Sequence, residues 1–136
     1  MKCIKRNGQE VEFNSDKIRK AVTNANGNID ELSKRLSTEQ IEKIREAGKI
    51  VSEALCLAGE LVKPGMTTLE LNNAIEKVIT SHKARPSFKN YNGFPAASCI
   101  SPNCVVVHGI ASKDIILRDG DIVSVDVGAF YDGYHA

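Results

Sequence analysis

The feature that most constrains this chain is a carboxylate planted in an apolar strand near the end of the sequence. Residues Ile122-Val-Ser-Val-Asp-Val-Gly-Ala-Phe-Tyr131 run into Asp132-Gly133. Most residues of that run are β-branched, aromatic or small, types that fit a pleated, half-buried surface, and Asp-Gly is a strong signal for a tight hairpin turn. The stretch predicts one strand, a turn, and a return strand of which Tyr134, His135 and Ala136 are present. Alternation puts Val123, Val125, Val127 and Ala129 on one face, and Ile122, Ser124, Asp126, Gly128 and Phe130 on the other. Asp126 therefore points away from the valine face. A carboxylate in a sheet is costly unless it is paired, hydrogen-bonded or metal-bound, so Asp126 asks for a partner.

Upstream, the spacing of apolar residues predicts helices. Ser37-x-x-Gln40 forms a capping box for a long helix with Ile41, Ile44, Ala47, Val51, Ala54, Leu55, Ala58 and Leu61 at three-four spacing, closed by Lys63-Pro64-Gly65. Thr67-x-x-Glu70 caps a second helix that turns Leu71, Ala74, Ile75, Val78 and Ile79 inward, and the short link makes the two antiparallel neighbours. At the other end of the chain, Ile4 to Phe13 predicts a hairpin turning at Asn7-Gly8. Asn14 or Ser15 then caps a helix that carries Ile18, Ala21, Val22 and Ala25 on one face and stops at Gly27.

Between the second long helix and the Asp126 strand, Ala84 to Pro95 is a turn-rich loop that holds Phe88, Tyr91 and Phe94. These aromatics either wall a pocket or pin the loop to the core. Ala97–Ile100 and Cys104–Val107 read as strands joined by Ser101-Pro102-Asn103, with His108 directly after. A histidine at a strand end is structural or catalytic. Asp114, Asp119, Asp121 and Asp132 are turn carboxylates, explained by solvation.

Composition excludes several classes. Hydrophobic residues at 42% and charged residues at 26% describe an ordinary globular chain. A net charge of +1 gives no reason to expect a nucleic acid or an anionic membrane as partner. No apolar run is long enough to span a bilayer and Met1-Lys-Cys-Ile-Lys-Arg opens no signal peptide, so the expected location is the cytoplasm. Cys3, Cys56, Cys99 and Cys104 form no Cys-x-x-Cys pair, which makes reduced thiols the default.

Gly120-Asp-Ile-Val-Ser-Val-Asp-Val-Gly128, Tyr131-Asp-Gly-Tyr-His135 and Val106-Val-His-Gly-Ile110 together resemble the N-terminal half of a type I methionine aminopeptidase. The resemblance covers residues 37–136. It implies an α/β (α+β) fold, half of a pita-bread aminopeptidase, with two antiparallel helices packed on a mainly antiparallel sheet. It also implies removal of N-terminal methionine from peptides or nascent chains at a site for two divalent ions, Co, Mn, Fe or Zn. By the same resemblance Asp126 ligates a metal and His108 hydrogen-bonds the substrate or intermediate. Phe88, Tyr91, Phe94 and Cys99 would line the methionine pocket, while Asn103 and Val105 would help hold a monovalent cation. The family's next ligand is an Asp two residues beyond the position of His135, and Ala136 stands where the family usually has Gly. One supported ligand falls short of a working metal site, for which a catalytic zinc generally takes three, so this chain is expected to be inactive alone and not to hold the metals stably.

Residues 1–36 resemble the start of an ATP-cone, the regulatory nucleotide-binding domain of ribonucleotide reductases, with only its first half present. That resemblance would give Lys5, Arg6 and Lys17 contacts to ATP phosphates; the alternative is a solvated basic hairpin with no ligand, and ATP binding is not expected. The alternatives for the whole chain are a nucleotide-binding regulatory module, or a fused or truncated reading frame without activity of its own. A half fold should also leave apolar surface uncovered, so self-association or pairing with a complementing C-terminal half is expected.

Overall fold

A computed structural model describes residues 2–4, 10–12, 15–28 and 35–136. Among them the order is β1 (Lys2–Ile4), β2 (Glu10–Glu12), α1 (Ser15–Gly27), α2 (Thr38–Leu61), α3 (Thr68–Ser81), β3 (Arg85–Pro86), β4 (Ser98–Pro102), β5 (Val123–Val127), β6 (Ala129–Tyr131) and β7 (Tyr134–His135). Every strand pair is antiparallel: β1 with β2, β4 with β5, and β6 with both β3 and β7. The expected turn at Asn7-Gly8 lies outside the described residues, as do Lys5 and Arg6.

Both capping boxes close. At α2 the Ser37 hydroxyl accepts from Gln40 N at 3.2 Å while Ser37 N donates to the Gln40 side chain at 2.8 Å. At α3 Thr67 and Glu70 repeat the exchange at 3.2 and 2.8 Å. Each box satisfies two of the backbone donors that a helix start leaves unpaired. The two helices pack on each other; α2 lies on β5, β6 and β7, and α3 on β3 and β4. The core they share is Ile50, Ala54 and Ala58 of α2, Leu71, Ile75 and Ile79 of α3, and Ala84, Ile100, Val127 and Ala129 beneath. The two alanines on the α2 side of that list let the helix approach the strands closely. Leu55, expected inward, is 41% exposed, and Ile50 takes the buried position instead.

Helix α1 packs on α2. On its expected apolar face Ala21 and Ala25 are exposed and Val22 is half-buried. Lys17, on the same helix, is exposed. Among the described residues no helix is long and apolar enough to cross a membrane.

Three expectations need correction. Cys104–Val107 is not a strand: Asn103 turns through a left-handed φ of 53°, Val105 N donates back to Pro102 O at 3.1 Å, and β4 pairs with β5 instead. The other edge of β4 is taken by Gly109, whose carbonyl accepts from Ile100 N at 3.0 Å. The loop 84–95 contains a short strand, β3, paired to β6. The single strand from Ile122 to Tyr131 is two, broken at Gly128, where the carbonyl leaves the ladder to accept from Ser87 N at 2.8 Å. The predicted turn is present: Asp132 and Gly133 both take positive φ, 46° and 90°, as a type I′ hairpin requires.

Candidate functional site

The alternation read from β5 holds in space. Val123 and Val125 pack toward the helices, whereas Ser124 and Asp126 are exposed on the opposite face. Asp126 stands directly across the β4–β5 ladder from Cys99, so both side chains leave the sheet on the same face. They meet in a cleft of about 640 Å³ lined by Phe88, Tyr91, Phe94, Cys99, His108 and Asp126. The six residues come from four separate stretches, and the sequence reading had named each of them. Asn92, Gly93, Pro95 and Ile110 also line the cleft and were not anticipated. Ile110 was signalled only by its place two residues after His108.

The aromatic wall is built on unusual backbone. Asn90, Asn92 and Gly93 all take left-handed φ, at 68°, 48° and 81°, and reverse the loop within a few residues. Asn and Gly are the types that tolerate this region. Phe88 and Phe94 are half-buried by the reversal, while Tyr91 stays 70% exposed at the cleft mouth. The loop is held to α3 by Lys89 and Glu76. Cys99 forms the floor and is buried; loss of water, then the nearby Asp126 charge, push its thiol pKa up and favour the neutral, apolar form. A neutral, polarizable thiol beside two phenyl rings makes a surface suited to an apolar side chain such as a thioether.

The floor is fixed from behind by a residue that the sequence reading missed. Asn72 of α3 is buried, and its Oδ1 accepts from Ala97 N, Ser98 N and Ser98 Oγ at 3.0, 3.1 and 3.1 Å. It pins the start of β4 one residue before Cys99. A polar residue among the inward positions of an amphipathic helix was the available signal.

Asn103 and Val105 lie away from the cleft, beyond the end of β4. Asn103 ties that turn to the start of β5: Nδ2 donates to Asp121 at 2.9 Å, Oδ1 accepts from Ile122 N at 3.1 Å, and its backbone N donates to Ile122 O at 2.8 Å. These bonds hold the Asp121 carboxylate pKa below the usual range, through Asn103 first and the Arg118 amide second.

The donor set does not fit a two-metal centre by itself. Among the described residues Asp126 is the sole carboxylate lining the cleft, and no three His, Cys, Asp or Glu side chains gather as a metal-holding group. Three protein ligands are the usual minimum for a catalytic zinc.

The family described as Metallopeptidase family M24 matches residues 42–136. The chain belongs to this family. It is 50% identical over 95 residues to the methionine aminopeptidase of Clostridium acetobutylicum, a match covering 70% of this chain and 38% of that protein. The crystal structure of methionine aminopeptidase from Rickettsia prowazekii superposes with a TM-score of 0.71 at 43% identity, covering 74% of this chain and 40% of the other. Prolidase from Pyrococcus furiosus, at 28% identity, superposes with a TM-score of 0.64 over 74% of this chain and 28% of its own. The chain thus spans about two fifths of the methionine aminopeptidases it matches, and its fold is the α/β pita-bread architecture of the M24 enzymes. The M24 match includes none of residues 1–36.

Proposed function

We propose that residues 37–136 form the substrate-binding part of a methionine aminopeptidase site, with one of its metal ligands. The observation that carries this reading is the convergence of Phe88, Phe94 and Cys99 with His108 and Asp126 in one cleft. Phe88, Phe94 and Cys99 receive the methionine side chain, and Tyr91 covers its outer edge. Asp126, across the strand pair from Cys99, would be the residue of this chain that holds a divalent ion. When two such ions are bound, they supply a polarised carbonyl and an activated water. His108 is the hydrogen-bonding group facing the substrate, a role open to an imidazole near neutral pH. Asn103 and Val105 present backbone oxygens to a monovalent cation at the neighbouring turn.

The 136 residues do not complete this chemistry, because Asp126 leaves most positions of each ion to water. Alone, the chain is inactive and binds divalent metal weakly. The test is complementation with a separately produced C-terminal part of a type I methionine aminopeptidase, measuring methionine release from a Met-Ala-Ser peptide. Activity should appear on mixing, vanish with Asp126→Ala, and fall about a hundredfold with His108→Ala, within the range of a lost acid–base or hydrogen-bonding group. Hydrolysis by this chain alone, abolished by a chelator, would refute the ligand count.

A further inference from the structure

We propose that Ser101 is a positioning residue that fixes the His108 imidazole at the cleft by pinning the peptide after it. The proposal deepens the reading of His108 as the group facing substrate and rests on it. His108 has a φ of 57°. A non-glycine residue in the left-handed region persists only where its surroundings over-determine it, and such residues gather at ligand clamps and active sites. The ring is exposed, so packing does not hold it, and its position follows from its backbone.

The surroundings that impose this backbone are on the next residue. Gly109 N donates to Ser101 Oγ at 3.0 Å, and Gly109 O accepts from Ile100 N at 3.0 Å. Both polar groups of Gly109 are thereby bound to successive residues of β4. The approach is so close that a Cβ on Gly109 would lie 2.1 Å from Ile100 O. Ser101 is 4% exposed, so water cannot readily replace its hydroxyl as the acceptor. Gly109 would otherwise extend the β4 ladder only through its carbonyl. The hydroxyl supplies the second anchor, which stops the His108–Gly109 peptide from rotating, so that His108 can relax to negative φ only by displacing the residues before it.

The experiment is nuclear magnetic resonance on the isotope-labelled 136-residue chain, with no substrate or metal added. The readouts are the intraresidue amide–Hα contact, which is strong when φ is positive, and the His108 ring shifts. The parent and Ser101→Thr, which keeps a hydroxyl, should show the strong contact. Ser101→Ala should lose it and shift the His108 ring, while the Phe94 and Asp126 signals stay in place. Retention in Ser101→Ala, equal loss in Ser101→Thr, or collective movement of all cleft signals would overturn the proposal. Should Ser101→Ala not fold, His108→Gly decides: relief of a held left-handed residue raises the thermal midpoint, and an unchanged or lowered midpoint rejects the clamp. These readouts need no activity, so a failed complementation assay leaves them standing, and their failure leaves the Asp126 half-site reading intact.

Discussion

At the scale of single residues, the cleft depends on two positions that touch no substrate in the proposed reading. Asn72 is the first. Its one oxygen serves three donors at the start of β4, in a place closed to water. Asn72→Leu would fill similar volume but leave those donors unpaired, a loss of about 3 kcal/mol at the usual cost of orphaned buried groups. Urea denaturation should show it as a lower midpoint, with Asn72→Asp closer to the parent because it keeps the acceptor. Gly128 is the second. A Cβ there would lie 2.9 Å from Ser87 Cβ and 3.0 Å from a Phe88 ring carbon, so Gly128→Ala must push the cleft wall. Over-packing of that kind costs roughly 1–3 kcal/mol. The denaturation midpoint should fall and the Phe88 resonances should move, while those of α3 stay; an unchanged Phe88 would mean that the wall gives elsewhere.

At the scale of elements, helix α3 carries a pH dependence in its cap. Glu70 accepts from the Thr67 amide first and the Thr67 hydroxyl second, and both hold its pKa below the ordinary glutamate value of 4.5. A depressed folded pKa contributes stability that is complete above the unfolded value and is lost as pH falls through the folded one. Glu70→Gln keeps the reciprocal bond without a titrating group, so between about pH 6 and pH 3 it should lose less stability than the parent does. Equal losses would assign the acid sensitivity elsewhere. Both helix starts were legible because Ser37-x-x-Gln40 and Thr67-x-x-Glu70 are local signals, complete within four residues. The Asp126 strand was legible for the same reason: alternation and an Asp-Gly turn are read over neighbours. What failed was pairing. Nothing near Cys104–Val107 announces that β4 takes a strand from twenty residues later, or that Gly109 fills its other edge. The break at Gly128 likewise arises from Ser87, far off in sequence. Asp126 was singled out by alternation, but the other cleft residues were assigned to a pocket through resemblance; Phe88, Tyr91 and Phe94 alone favoured packing of the loop over a pocket wall.

At the scale of the whole molecule, the helices cover one face of the strands and leave the other face to the cleft. Val106, Val107, Ile110 and Ile122 are 85%, 64%, 53% and 76% exposed, and Ile110 lines the cleft. Scattered apolar residues on a surface are ordinary, but Val106 and Val107 are consecutive and Ile110 follows within a few residues on the same segment. The chain should therefore associate with itself as concentration rises, and a bound complementing half should suppress the association by covering the same side chains. Sedimentation velocity between about 5 and 100 μM is the measurement, a range in which weak contacts of a few hundred Å² become populated. Val106→Ser with Val107→Ser should lower the associated fraction without moving the denaturation midpoint, because neither side chain is part of the core. A parent that stays monomeric throughout would show that these valines are tolerated in water, and that the uncovered face sets no oligomeric state.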